Sequence, residues 1–512
     1  MVTQKMEKRY LLLPVDNTAQ NKKLRFYEGE GEGRKLVLDL DFRPASGKPD
    51  FIVSYDAREL CGKNVYFECD CDAKITQSDR KAQKGEDELR PFVHFTPEVG
   101  WNNDPNGMIK YGDEYHLFYQ YNPCGREWGN LHWGHAVSRD LVQWEEKETA
   151  LFPDRTGTMF SGSAIEDERN VTGLKKGENN PLLLFYTAAG GTSELSKGAP
   201  FTQRLAYSTD GGVSFIKTDK AVIEHISASN RDPKVVWAEE IGKYLLALYL
   251  TNGEYALFTS ENLIDWELLQ KLSIEGDREC PDIYAFRRGE KIYRALIGAS
   301  DHYIIGEFSG GKFVPITKTK KLNVTRCPYA AQSFSGTGDR VLRMCWNNIG
   351  SPRIYSASEI GLAQEIALCG EGEKMCLNVM PARETEKLNQ SKIYEGGIPA
   401  GKPVTVPLEK SAYRVEIVCD RSYFSFCAFG LEMRFNAKKN VLSVGETVIP
   451  LDKSNKIAIV AFIDKCSTEI YLGGKSFACI PHTCDYSKAK AEYACEGATQ
   501  KLSVIRLKNI FG

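Results

Sequence analysis

The sequence lacks several features that would each have named a function class. No apolar run reaches the roughly 18–20 residues of a membrane-spanning helix, so there is no candidate span and no membrane partner is expected. Neither sign of charge prevails. Lys and Arg number 66 against 68 Asp and Glu, a formal net charge of −2, so neither a nucleic-acid nor an acidic-lipid partner is implied. There is no glycine-rich phosphate loop opening a helix and no Gly-x-Ser-x-Gly elbow. Cysteine is present, with 15 residues, but the number is odd and no regular framework emerges between Cys61 and Cys495. Cys69-Asp70-Cys71 comes nearest to a motif. No second pair stands at a suitable spacing, so no cysteine metal site is expected. The apolar stretch Leu11-Leu12-Leu13-Pro14-Val15 is too short for the core of a secretory leader. Reduced thiols in a cytoplasm are the expectation.

What is present is β-forming sequence in three blocks, since 512 residues exceed one compact core. Residues 1–90 read as a small N-terminal β domain. Its strand-like runs are Arg9 to Val15, Lys35 to Phe42 and Asn64 to Cys69, and a polar linker follows over Gln77 to Glu88. Residues 91–385 are dense in short strands and turns, and they repeat. Ser138-Arg139-Asp140-Leu141-Val142-Gln143-Trp144 returns as Ser260-Glu261-Asn262-Leu263-Ile264-Asp265-Trp266. A third copy, from Ser208 to Phe215, has Phe in place of Trp. The same punctuation after the same kind of strand suggests the blades of a β-propeller, although a β-sandwich with recurrent turns would also produce it. A short helical or irregular crossing is expected over Ala382 to Leu388. Residues 390–512 read as a C-terminal β-sandwich. The expected class is all-β.

Three acidic positions in the middle block could carry chemistry. Asp104 lies in Asn103-Asp104-Pro105-Asn106-Gly107, a tight turn by composition, between Trp101 and the aromatic strand Tyr115 to Tyr121. A carboxylate on a rigid turn between aromatic walls suits a sugar ring; a turn whose Asp caps its own backbone fits the same residues. Asp232 precedes Pro233, which pushes it toward an extended conformation. Glu279 lies shortly before Pro281 and the strand from Ile283. Each acid could instead pair with its neighbour, Arg231 or Arg278. Three strand entrances in a propeller could bring them together, and convergent carboxylates are what a retaining glycosidase needs. His132 and His135 would face opposite ways on a strand, so they are not expected to share a metal.

Trp101 to Gly107, Gln120-Tyr121-Asn122-Pro123, Trp128 to Ala136, Phe160 to Ser163, Arg231-Asp232-Pro233, Glu279-Cys280-Pro281-Asp282 and Tyr329 to Phe334 occur in the order of a known signature. Together they resemble glycoside hydrolase family 32, the invertases, inulinases and levanases, and the likeness runs from about residue 91 to the end. The resemblance implies a five-bladed propeller followed by a sandwich. It implies Asp104 as nucleophile, Glu279 as acid and base, and Asp232 as stabiliser of the transition state. Asn103, Gln120, Trp128, Phe160, Ser161, Arg231 and Trp346 would line a fructose pocket, and the resemblance implies no metal and no cofactor. The implied activity is hydrolysis of terminal β-fructofuranosyl units from sucrose and fructo-oligosaccharides. A fructosyltransferase, a non-catalytic fructan-binding protein and an inverting arabinose-specific relative are the alternatives. The family often has Trp where Phe160 stands, and the block before residue 91 is similar to a β domain found on some bacterial members. That domain would wall the pocket or mediate assembly, and a homo-oligomer is compatible with it.

Overall fold

Burial along the strands sets the architecture. Leu182–Ala189, all apolar except for one Tyr and one Thr, is buried throughout, as a strand covered on both faces must be. Its sheet neighbour but one, Ile216–Ile223, has a single buried residue. The gradient from inner to outer strand recurs in the middle of the chain. The computed structural model describes residues 2–350, 352–451 and 456–511, and almost all of its regular structure is β.

Five sheets succeed one another between Gly100 and Pro381, antiparallel except where the short strand Ser356–Ala357 runs parallel to Gly100–Tyr111. Their first strands are Gly100–Tyr111, Thr158–Glu166, Arg231–Ala238, Asp282–Arg288 and Pro328–Ser333. Each packs against the next, and the fifth packs back against the first, so the five close a ring. The repeated sequence punctuation has a structural counterpart. Ser138, Ser208 and Ser260 each end the third strand of a sheet, and each hydroxyl donates to the acceptor two residues on, Asp140, Asp210 or Asn262. That acceptor in turn receives backbone N–H groups of the turn that leads to the fourth strand.

The N-terminal block forms a four-stranded and a three-stranded sheet around one core that includes Leu13, Phe26, Phe42 and Tyr55. The expected strand Lys35 to Phe42 is observed with those bounds. The polar stretch read as a linker from Gln77 begins within a strand, because Thr76–Ser78 pairs with Tyr10–Val15. The C-terminal block is two six-stranded sheets enclosing a core that includes Ile417, Phe426 and Ile459. A 3₁₀ helix, Arg383–Leu388, makes the crossing into it. One sequence expectation is corrected. Asn103 to Gly107 is no turn but part of the strand Gly100–Tyr111, interrupted by register shifts between Asn102 and Pro105 and between Asn106 and Ile109. Pro, Asn and Gly serve a bulged strand as readily as a turn, and composition alone does not separate the two.

The middle and C-terminal blocks share buried charge. His94 is fully buried, with Nδ1 2.9 Å from Asp464 Oδ2 and Nε2 3.5 Å from Glu469 Oε1. Glu359 lies 4.0 Å away and also faces Arg353. Burial works against a charged imidazole, but Glu359, Asp464 and Glu469 together outweigh it and hold the His94 pKa well above its ordinary value. Its folded-state pKa exceeds the unfolded one. The stabilisation is therefore complete below about pH 6.5 and is lost as pH rises through the folded value. Replacing His94 by Gln strands buried carboxylates and should cost about 3–5 kcal/mol. The gap in urea midpoint between parent and His94→Gln should be widest below pH 6.5 and narrow as pH rises. A gap that widens with pH would contradict the charged imidazole.

Candidate active site

The functional side chains enter from the N-terminal ends of the ring-forming strands, and the backbone is irregular there in four of the five. Register shifts fall between Asn102 and Pro105, Phe160 and Gly162, Arg231 and Lys234, and Tyr329 and Gln332. Bulges of this kind turn successive side chains toward one side of a strand, away from strict alternation. Asp232, Glu279, Cys280 and Ala330 also have positive φ, at 67°, 51°, 40° and 50°. The extended conformation expected for Asp232 ahead of proline is therefore corrected to a left-handed one. Such strain in non-glycine residues persists only where surrounding structure enforces it. At the bulge of the second ring-forming strand the chains approach so closely that a Cβ on Gly162 would lie 1.9 Å from the carbonyl oxygen of Phe185.

The irregularities bring the three acids together. Asp104 Oδ2 accepts from Ser161 Oγ at 2.7 Å and from Cys280 Sγ at 3.4 Å. The same sulfur lies 3.4 Å from Asp232 Oδ2, and the Cys280 backbone N–H donates to that oxygen at 3.0 Å. Asp104 and Asp232 thus share one thiol. Arg231 joins the third acid: its Nη2 donates to Glu279 Oε2 at 2.6 Å, while Nε stands 3.6 Å from Asp232 Oδ2. The Arg231 guanidinium lies over the Tyr249 ring, 4.6 Å from its centre. Tyr329 donates its hydroxyl to Glu279 Oε1.

Burial raises the Asp104 pKa, and the charge of Glu279 adds to it, against hydrogen bonds from Ser161, Cys280 and Asn103. Asp232 is pushed up to about 7, chiefly by burial; Arg231 opposes the rise, and Glu279 and Asp104 reinforce it. Burial also raises the Cys280 thiol far above its ordinary range, with Asp104 and Asp232 adding to the effect. Cys280 is therefore a protonated donor between two carboxyls rather than a thiolate nucleophile.

The remaining expected residues divide by position. Asn103 donates to Asp104 Oδ1 at 3.2 Å and accepts from Trp101 Nε1 at 3.0 Å. The Trp101 ring meets Trp346 edge-on at 5.8 Å, and Trp346 meets Tyr329 at 6.3 Å, so Trp346 belongs to the wall behind the acids. Trp128 is 58% exposed and packs edge-on against Phe160, which packs against Phe201. Gln120 is buried behind this wall, its amide donating to the Met159 carbonyl at 2.8 Å. Cys280, Tyr329 and Phe201 were not assigned individual roles from sequence. Cys280 and Tyr329 stand inside the motifs that carry the acids, which was the only signal available. His132 and His135 do not converge: His132 Nε2 meets Tyr55 Oη at 3.3 Å and His135 meets His116 at 3.0 Å. Among the described residues no group of His, Cys, Asp and Glu is arranged to hold a metal. A cavity of about 550 Å³ opens at the opposite ends of the ring-forming strands, and none of the three acids lines it.

Three carboxyls, one held by a guanidinium and a phenol and two sharing a thiol, beside aromatic walls, make this chain a glycoside hydrolase. The family model described as glycosyl hydrolases family 32 N-terminal domain matches residues 94–365, and the chain belongs to that family. A levanase of Bacillus subtilis is 30% identical, with 83% of this chain and 72% of that protein covered. A sucrose-6-phosphate hydrolase of Zymomonas mobilis is also 30% identical, over 78% of this chain and 87% of that protein. Among solved structures, the exo-inulinase of Aspergillus awamori superposes with a TM-score of 0.73 at 24% identity, covering 82% of this chain and 99% of that one.

The raised pKa of Asp232 has a stability consequence. The folded protein binds this proton more tightly than the unfolded chain does. The site therefore penalises folding increasingly as pH rises from about 4 to about 7. Asp232→Asn, isosteric with the protonated acid, should gain thermal stability relative to the parent across that window. Calorimetry at pH 4 and pH 7.5 checks this; a relative stability that stays flat or falls would count against it.

Proposed function

We propose that this chain is a retaining β-fructosidase that removes terminal, non-reducing β-D-fructofuranosyl units from sucrose and short fructo-oligosaccharides. In this reading the five ring-closing sheets are the blades of a propeller, within the catalytic domain 91–385. Residues 390–512 are a β-sandwich, and residues 1–90 a separate β domain. A cytoplasmic location accompanies it, in keeping with 15 unpaired thiols. The relatives, a levanase, a sucrose-6-phosphate hydrolase and an exo-inulinase, all fit fructosyl chemistry.

The observation that carries the reading is the linkage of all three acids through Cys280 and Arg231. In the first step a carboxylate oxygen of Asp104 attacks the anomeric carbon. The bond from that carbon to the bridging oxygen breaks, and Glu279 gives its proton to the departing oxygen. Ser161 and Cys280 hold Asp104 from one side, leaving its other lone pairs for the sugar. In the second step Glu279 takes a proton from water, water attacks the same carbon, and Asp104 leaves. Asp232, buried on the shared thiol, accepts hydrogen bonds from ring hydroxyls that strengthen as positive charge develops. Arg231 and Tyr329 fix the orientation of Glu279 for both steps. Trp128, Phe160 and Trp346 supply the apolar faces on which sugar rings rest.

Asp104→Asn should lower kcat on sucrose by at least about a thousandfold while the protein stays folded. Proton NMR during the first minutes of hydrolysis should show fructose released with the β configuration retained. Release of the α anomer would replace the two-step mechanism by single displacement, and full activity in Asp104→Asn would remove the nucleophile.

A further inference from the structure

The family model begins at residue 94, and the Aspergillus structure is covered almost end to end by 82% of this chain. The scaffold of the site is therefore complete without the first block, and what that block adds must act on it from outside. Besides bonds of Arg9 and Arg58 to Glu148 and Thr149, it makes contacts on the loops around the acids. The loop between Asn122 and His132 carries Trp128, and Cys124 from this loop is fully buried in the core of the N-terminal block. Tyr355, from the segment after Trp346, packs on the same core, its ring 5.8 Å from Phe51.

Polar bonds finish the clamp. Asn130 Oδ1 accepts from the Asp41 N–H at 2.8 Å, and Asn130 Nδ2 donates to the Asp41 carbonyl at 2.7 Å. Asn130 has φ 46°, a conformation that Asn tolerates better than most residues. Arg43 pairs with Glu127 at 2.5 Å, next to Trp128. Asn17 accepts from Arg126 Nε at 2.8 Å and donates to the Ile354 carbonyl at 3.4 Å, joining two loops. Asp39, buried in the first block, accepts the N–H groups of Glu194 and Leu195 at 3.1 and 2.9 Å. That third loop leads into Phe201, which packs on Phe160.

An exposed Trp on a free loop would lose conformational freedom when a sugar stacks on it, and affinity would suffer. Here the loop is held before substrate arrives. Resting on the fructosidase reading above, we propose that the N-terminal block is the outer wall of the substrate cleft. Through Asn130, Asn17 and Asp39 it positions Trp128 and the adjoining aromatic wall, and so sets the affinity for the leaving portion of an oligosaccharide. These three are positioning residues; none reaches the reacting atoms.

Asn130→Gly keeps the positive φ and removes both bonds to residue 41, and Asn17→Ala is a milder break at the surface. Steady-state kinetics on sucrose and on fructo-oligosaccharides of three to five sugars read the effect. KM for the longer substrates should rise roughly three- to tenfold, with the smallest change on sucrose and kcat within about twofold throughout. Unchanged KM for the long substrates in both variants, with sucrose turnover intact, overturns the wall alone. If Asn130→Gly fails to fold, Asn17→Ala decides by the same ratio. A parent that turns over none of these sugars sinks the fructosidase reading, and the wall with it.

Discussion

Crowded negative charge at the end of the ring is the constraint to which the rest of the structure answers. Two unit charges 4 Å apart repel by about 4 kcal/mol at an effective dielectric of 20, and here three carboxyls meet where water is sparse. One guanidinium and one thiol hold them. Arg231 touches Glu279 and Asp232, and Cys280 touches Asp232 and Asp104, so the two groups link the three acids in one chain. Asp232, raised to about 7, shows the burial left uncompensated. A site that opposes folding needs a scaffold that does not yield.

The scaffold meets that need by irregularity in fixed places. A regular strand sends alternate side chains to opposite faces, so Asp104 and its neighbours could not serve one pocket. The bulges at the entrances of the first, second, third and fifth ring-forming strands, and the left-handed residues Asp232, Glu279 and Cys280, break that alternation at the site. Further along the same strands regularity returns. There Lys234 Nζ lies 3.1 Å from Asp282 and donates to Ser333 at 2.7 and 3.0 Å, tying the third, fourth and fifth strands inside the ring. The cluster around His94 anchors the ring to the C-terminal sheets, and Asn347, next to Trp346, donates to Glu469 of that cluster at 3.0 Å. Support for the pocket wall thus extends into a different block of the chain.

Much of this was legible in the sequence, for reasons that particular residues make plain. The serine-led turns repeat because each makes the same hydrogen bonds at the end of a third strand, and the repetition survives the exchange of Asp140 for Asn262 since either side chain accepts. The acids were legible because each stands within two residues of a proline near a strand entrance. What stayed hidden depends on bonds between residues far apart in the chain. Asp232 was expected to be extended from its proline alone, but its φ is 67°, with its backbone N–H donating to Thr187 and its carboxyl held by Cys280. Composition suggested a turn at Asn103 to Gly107 because the residues that make turns also make bulges. Nothing in the spacing of Asp39 or Asn130 indicated that the one would bond a loop 155 residues away and the other a strand 89 residues away.

Those long-range bonds separate chemistry from selection. The acids sit on strands whose positions are fixed by sheet pairing within the ring, and they need nothing from the first 90 residues to meet. Trp128 sits on a loop, where sequence and geometry can vary without disturbing the ring. A loop that varies freely also moves freely, and a mobile aromatic is a poor surface for a sugar. Burying Cys124 in the N-terminal core removes that freedom, because the loop can open only if the core of a neighbouring block opens with it. The first block thereby gives a loop the rigidity of a strand while leaving its shape open to change. In the proposed reading, a β domain packed outside the ring alters which sugars are held without touching how their bonds are broken.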